Sequence, residues 1–193
     1  MQPVTSGASP GGHVGPWTVA DVLALPEDRT TRYELLGESL VLSPVPGIRH
    51  QRASFRLAMT LHAAAQAAET PVEVLEAINV VLPSGLVVPD LVVTDSGATA
   101  EDDISVDAEN VQLVVELVSP RNRVVGCTFK PMLYAEAAIP HFWRLEFDPA
   151  PMLVVHELQA GCYVERTTAL SGTTTHLDVP FPLDIDPANL PRQ

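Results

Sequence analysis

The sequence predicts an α/β (α+β) protein, a mixed β-sheet core flanked by helices, with a β-hairpin toward each end. Three observations carry this. Apolar, β-branched runs of strand length recur, the fullest being VQLVVELV at residues 111–118, continuous enough to be buried on both faces. One long alanine-rich stretch, from residue 48 or 49 to 68, has the length and composition of a helix. Aliphatic side chains dominate, with 46% hydrophobic and only 5% aromatic residues.

A chain of 193 residues suits one domain with a proper core. Residues 1–16, rich in Gly, Pro and Ser, read as a disordered leader, leaving 17–193 as a single domain. No apolar run approaches a membrane span and no basic, apolar signal peptide opens the chain, so a cytoplasmic location is expected. Cys127 and Cys162 have neither disulfide-framework nor zinc-site spacing. The net charge of −13 argues against a protein that coats nucleic acid non-specifically. Arginines nonetheless gather at Arg49, Arg52 and Arg56, and again at Arg121 and Arg123, so a local basic rim is compatible with the acidic total.

In chain order, Thr18 caps a short helix over 19–25 that Pro26 ends. Residues 33–42 form a hairpin about Gly37-Glu38. The long helix follows, opening with His50 beside Arg49, Arg52 and Arg56, which are spaced to share a face. Residues 72–82 and 86–93 read as a second hairpin through Pro83-Ser84-Gly85. An acidic loop leads to the central strand, and Pro131 fits the first turn of a helix over 128–138. A strand over 141–147, a hairpin about Ala160-Gly161 and an extended lid over 181–185 complete the chain.

Three residues stand out chemically. Glu116 lies inside the most apolar strand, where an unpaired carboxylate costs several kcal/mol. It is either a salt-bridged core glutamate or a metal ligand or general base at a strand end. Asp90 interrupts a second apolar run, and the preceding Pro89 suggests a bulge that re-aims it. Lys130 is the only lysine, all other basic residues being arginine, which points to a need for a compact ammonium there.

The ordered set YELL-GESLVLSP (residues 33–44), His50-Gln51, Val88-Pro89-Asp90, VVELVSP (114–120), Lys130-x3-Tyr134-Ala135 and IPHFW (139–143) resembles the Uma2 (DUF820) family. That family has the restriction-endonuclease-like, PD-(D/E)xK fold. The resemblance runs from about Trp17 to the C-terminus and implies an endonuclease that hydrolyses DNA phosphodiester bonds. Asp90 and Glu116 would hold Mg²⁺ (or Mn²⁺) between neighbouring strands, with waters completing the shell. Glu34 would belong to the same active site. Where the standard motif has its lysine this chain has Val118, and the resemblance hands that role to Lys130 on the following helix. Arg49, His50, Arg52, Arg121, Arg123 and Tyr134 are the candidate nucleic-acid contacts, and a homodimer is expected of a two-strand cutter. Gly126 stands where many relatives carry an acid. This departure and the acidic balance support the alternative, a catalytically weakened nuclease-fold module that binds nucleic acid or a protein partner. Two-carboxylate sugar chemistry lacks the aromatic platforms it needs.

Overall fold

The computed structural model describes residues 11, 13–26, 28, 30–118 and 125–192. The leader expected over 1–16 lies mostly outside them. A short helix α1 (Val19–Leu23) is capped by Thr18, whose hydroxyl accepts from the Asp21 N–H while the Asp21 carboxylate accepts from the Thr18 N–H. Strands β1 (Thr31–Leu36) and β2 (Ser39–Pro44) form the first hairpin, with Gly37 at φ 64° in its turn. Helix α2 (Ile48–Ala67) follows. Then come β3 (Val72–Glu76), β4 (Asn79–Leu82), β5 (Gly85–Val87), β6 (Leu91–Asp95), β7 (Ser105–Asp107) and β8 (Val111–Val118). A π-helical turn, Val125–Phe129, runs into α3 (Lys130–Glu136). Strands β9 (His141–Glu146), β10 (Met152–Gln159), β11 (Cys162–Leu170), β12 (Thr175–Leu177) and β13 (Leu183–Ile185) complete the chain.

A six-stranded sheet, ordered β11-β10-β9-β8-β6-β3, forms the centre. Its β8–β9 pair is parallel and the others are antiparallel. Parallel neighbours require a crossover connection, and the segment containing α3 supplies it. Along β8 the side chains alternate. Leu113, Val115 and Leu117 meet Ala53, Leu57, Leu61 and Ala65 of α2 on one face, together with Trp143 and Leu145 of β9. Val114 packs with Phe142, Tyr134 and Ile139 and with Val80, Val87 and Val106 of a five-stranded sheet, β2-β1-β5-β4-β7. Glu116 is in phase with Val114, so the same alternation that builds the core turns it toward α3.

One correction concerns the hairpin expected over 72–93. It is a single bent hairpin shared between two sheets: β3 pairs with β6 in the six-stranded sheet, and β4 with β5 in the other. On one side the chain breaks at Ala77, with φ 52°, and on the other at Val88-Pro89-Asp90; the Ala77 N–H donates to the Asp90 carbonyl at 3.2 Å across the break. The bend places Asp90 at the junction of the two sheets. A second correction concerns the C-terminal lid, which is a small two-stranded β12–β13 hairpin whose Leu177, Phe181, Leu183 and Ile185 join the core on the α2 face.

Candidate active site

Four ionisable residues, from β1, the break before β6, β8 and the start of α3, meet at one point. Register sets the first pair: Leu91 of β6 lies opposite Val115 of β8, so Asp90 arrives opposite Glu116. Pro89 withholds an N–H from any ladder at this point. The main chain then fixes the carboxylates. Asp90 Oδ2 accepts from the Leu117 N–H at 2.8 Å, and Glu34 Oε1, from β1, accepts from the Val88 N–H at 2.8 Å. Lys130 opens α3 and reaches back, its Nζ 2.8 Å from Glu34 Oε1, 2.9 Å from Glu116 Oε1 and 3.4 Å from the Val88 carbonyl. One turn on, the Tyr134 hydroxyl donates to Glu116 Oε1 at 2.5 Å. Glu34, Asp90, Glu116 and Lys130 are only 3–5% exposed.

Asp90 also holds cations on its other oxygen. Arg32 Nη1 and His50 Nε2 each stand 2.8 Å from Oδ1. A cavity of about 480 Å³ opens over this cluster, walled by the loop Pro44-Val45-Pro46-Gly47 and by Gly126, with Arg32 and His50 at its side. The site is thus a pocket rimmed by β2 and the start of α2 and floored by carboxylates.

Burial dominates the electrostatics. It pushes the Glu116 carboxyl up to about 7; the Lys130 ammonium opposes this, and the Asp90 and Glu34 charges add to it. Burial also works to raise Asp90, but the hydrogen bond and charge of His50, with the Arg32 guanidinium, outweigh it and hold Asp90 below the usual carboxylate range. Lys130 is disfavoured by burial, yet the Glu116 and Glu34 carboxylates raise it above an ordinary lysine. Near neutral pH, Asp90 is therefore ionised, Lys130 is a fixed ammonium, and Glu116 is poised to titrate. Burial, with Glu116 beside it, likewise keeps the Tyr134 phenol protonated.

No group of three or more His, Cys, Asp or Glu side chains arranged to hold a metal ion occurs among the described residues. The donor chemistry nonetheless suits a hard divalent cation: carboxylate oxygens brought side by side by the β6–β8 register, one of them pushed up to about 7 chiefly by burial. Mg²⁺ is ordinarily bound by only one or two carboxylates, with waters filling its octahedron, so a three-residue cage is not required.

Of the residues singled out in the sequence, Glu34, Asp90, Glu116 and Lys130 converge, and His50 joins them through Asp90. Tyr134, also named as a candidate nucleic-acid contact, is fully buried and donates its hydroxyl hydrogen bond to Glu116 within the site. Arg49 lies outside the cluster, donating to the Phe147 carbonyl at 3.0 Å and stacking over the Phe147 ring. Arg56 ties down the C-terminal segment through the carbonyls of Asn189 and Arg192, while Arg52 is exposed. Arg121 and Arg123 lie outside the described residues. Arg32, on Asp90, is a site residue with no motif of its own in the sequence. The signal was present, because on a strand residue 32 shares a face with residue 34.

The family model described as "Uma2: Putative restriction endonuclease" matches residues 19–190. No curated protein matches the chain. Among solved structures, the fold is similar to a "putative nuclease belonging to DUF820" from Anabaena variabilis, with a TM-score of 0.65 and 16% sequence identity. That match covers 86% of this chain and 90% of the other. At this identity the likeness is one of fold, and it gives the two sheets their architecture: restriction-endonuclease-like. With a family model spanning all but the two ends, and that fold beneath the carboxylate cluster, the chain belongs to the Uma2 family.

Proposed function

We propose that the protein is a metal-dependent nuclease that hydrolyses DNA phosphodiester bonds in the cavity over Asp90, Glu116 and Lys130. The observation that carries this reading is the buried Lys130 ammonium held between two carboxylates beneath an open cavity, with Asp90 ionised alongside. A salt bridge that serves only the fold has no need of a cavity above it.

Asp90 and Glu116 would hold Mg²⁺ or Mn²⁺. When bound, that ion supplies Lewis-acid polarisation of a phosphoryl oxygen and a water of lowered pKa. The chain's own groups do the rest. Asp90 is kept as a carboxylate by Arg32, His50 and the Leu117 N–H, and so arrives at the reaction already ionised. Glu116, pushed up to about 7 by burial in the metal-free protein, would be held as a carboxylate once it binds the ion. Lys130 stays charged, which rules it out as a base and suits it to stabilise negative charge developing on the phosphorus oxygens. Glu34 holds Lys130 in place and is itself fixed by the Val88 N–H. Tyr134 orients Glu116 through the oxygen that Lys130 also touches.

A second reading has an observation behind it. Arg32 and His50 already neutralise one oxygen of Asp90, and Gly126 presents no side chain to the cavity, as in a relict site that only binds. Nicking of supercoiled plasmid with Mg²⁺ or Mn²⁺ separates the two. The nuclease reading expects cleavage by the wild type, absent with chelator and reduced by about 10²-fold or more in Asp90→Ala and in Lys130→Ala. No cleavage by the wild type, or cleavage that survives both changes, would assign the chain to the binding module.

A further inference from the structure

Helix α2 is apolar on two opposite sides. Its buried face, Ala53, Leu57, Leu61 and Ala65, is spent on the sheet. Directly opposite, Ile48, Phe55 and Met59 are 69%, 57% and 57% exposed. With Arg52, His62 and Gln66, all exposed, they complete the series 48, 52, 55, 59, 62, 66, which alternates steps of four and three. That is the a/d spacing of a helix–helix seam, and the large side chains on it are exposed among the described residues. Exposed large side chains this regular on an amphipathic helix mark a contact surface.

Charge narrows the occupant. The chain holds 24 acidic residues and carries −13, so two copies repel over most of their surfaces. Across its 20 residues α2 has no aspartate or glutamate at all. Its arginines do not form a phosphate ridge, since Arg49 and Arg56 are committed to backbone carbonyls, leaving Arg52. Among the described residues, one arginine not tied to a backbone carbonyl, beside three large apolar side chains, is a poor match to a polyanion and a good match to another apolar helix. Antiparallel pairing about residue 57 sets Phe55 against Met59 of the other copy, a favourable sulfur–aromatic contact, in both central layers. It also sets each helix dipole against the other and brings the arginine-bearing N-terminal half near the partner's exposed C-terminal end, where Glu69 lies.

We infer that α2 is a self-association surface, on which a second copy of this chain docks its own α2 antiparallel to form a twofold dimer. A stable interface needs roughly 800 Å² per partner, more than one helix stripe provides. A seam made by α2 alone therefore holds a weak dimer. This inference does not depend on whether the cavity cuts DNA.

Sedimentation velocity on the full chain tests it, with Phe55→Glu and Phe55→Arg as variants. Because Phe55 is exposed, both should keep the wild-type circular dichroism and thermal midpoint, and the opposite charges separate loss of the seam from a charge effect. The expected result is a wild-type dimer that strengthens with added salt, as repulsion is screened. Both variants should dissociate at least about tenfold more readily. A wild type that stays monomeric, a dimer that survives both substitutions, or a monomer whose Phe55 variants instead lose duplex DNA binding would each overturn the inference.

Discussion

Glu116 is the residue through which stability and activity are linked. Its ordinary value of 4.5 rises to about 7 in the fold, chiefly through burial. Between those limits the folded chain keeps a proton that the unfolded chain has released, so metal-free stability must fall as pH rises through this window and level off above it. Asp90 acts in the opposite sense at lower pH: its stabilising contribution is present above its ordinary 3.8 and is lost on acidification. Urea midpoints measured in chelator across about pH 4.5 to 7.5 should show the Glu116 slope, and Glu116→Gln should abolish it. Lys130→Ala leaves two buried carboxylates without their shared cation and should cost about 3–5 kcal/mol in the same experiment. Much of this was legible at residue level. A lone lysine and two acids in apolar strands pointed to the site. Helical spacing aims Tyr134 at the site, but it fixes direction and not depth, so its full burial on Glu116 is legible only in the structure. Arg49 and Arg56 shared the predicted spacing, yet their partners come from Phe147, Asn189 and Arg192, about 100 residues or more away in sequence.

At the scale of elements, the site depends on where two strands bend. The sequence run from Val72 to Val93 shows two apolar stretches and a tight turn, which suffices for a hairpin. Periodicity cannot say that each strand changes sheet midway, because both halves read as buried strand. Pro89 was the visible sign on one side; on the other the break rests on Ala77 in a left-handed conformation, a role for which alanine carries no signature. Ala77→Gly should therefore stabilise the fold by up to about 1 kcal/mol, measured by chemical denaturation. Gly85 is the converse case. It sits at φ 152°, and a Cβ there would lie 2.0 Å from the Leu35 carbonyl, where β5 meets β1. Gly85→Ala should force β1 away, and with it Glu34, one residue along. We expect a loss of several kcal/mol, typical of strain at a special backbone position that cannot relax. Cleavage should fall further than the residual folded fraction explains.

For the molecule as a whole, the acidic total shapes how it meets its proposed substrate. A chain at −13 approaches DNA against long-range repulsion, and among the described residues the basic side chains lining the cavity, Arg32, His50 and Lys130, are each already set against a carboxylate. Raising NaCl from about 10 to about 150 mM shortens the screening length from roughly 30 to roughly 8 Å, so cleavage at subsaturating DNA should speed up across that range. Most DNA-binding proteins show the reverse, because counterion release dominates their affinity. A rate that falls steeply with salt would mean that a basic surface outweighs the net charge. The fold itself was readable at this scale, from strand-length runs around one long helix. What composition could not give was the second sheet, assembled from short strands of three to six residues that leave little periodicity.

The account turns on one claim: that the carboxylate surplus under the cavity exists for a divalent cation. Calorimetric titration of Mn²⁺ into the metal-free protein at pH 8, where Glu116 is ionised, tests it without reference to cleavage, with Asp90→Asn as the control. The account predicts saturable binding by the wild type, with loss of most of that affinity in Asp90→Asn while the fold is retained. No binding by the wild type, or equal binding by both, would contradict it.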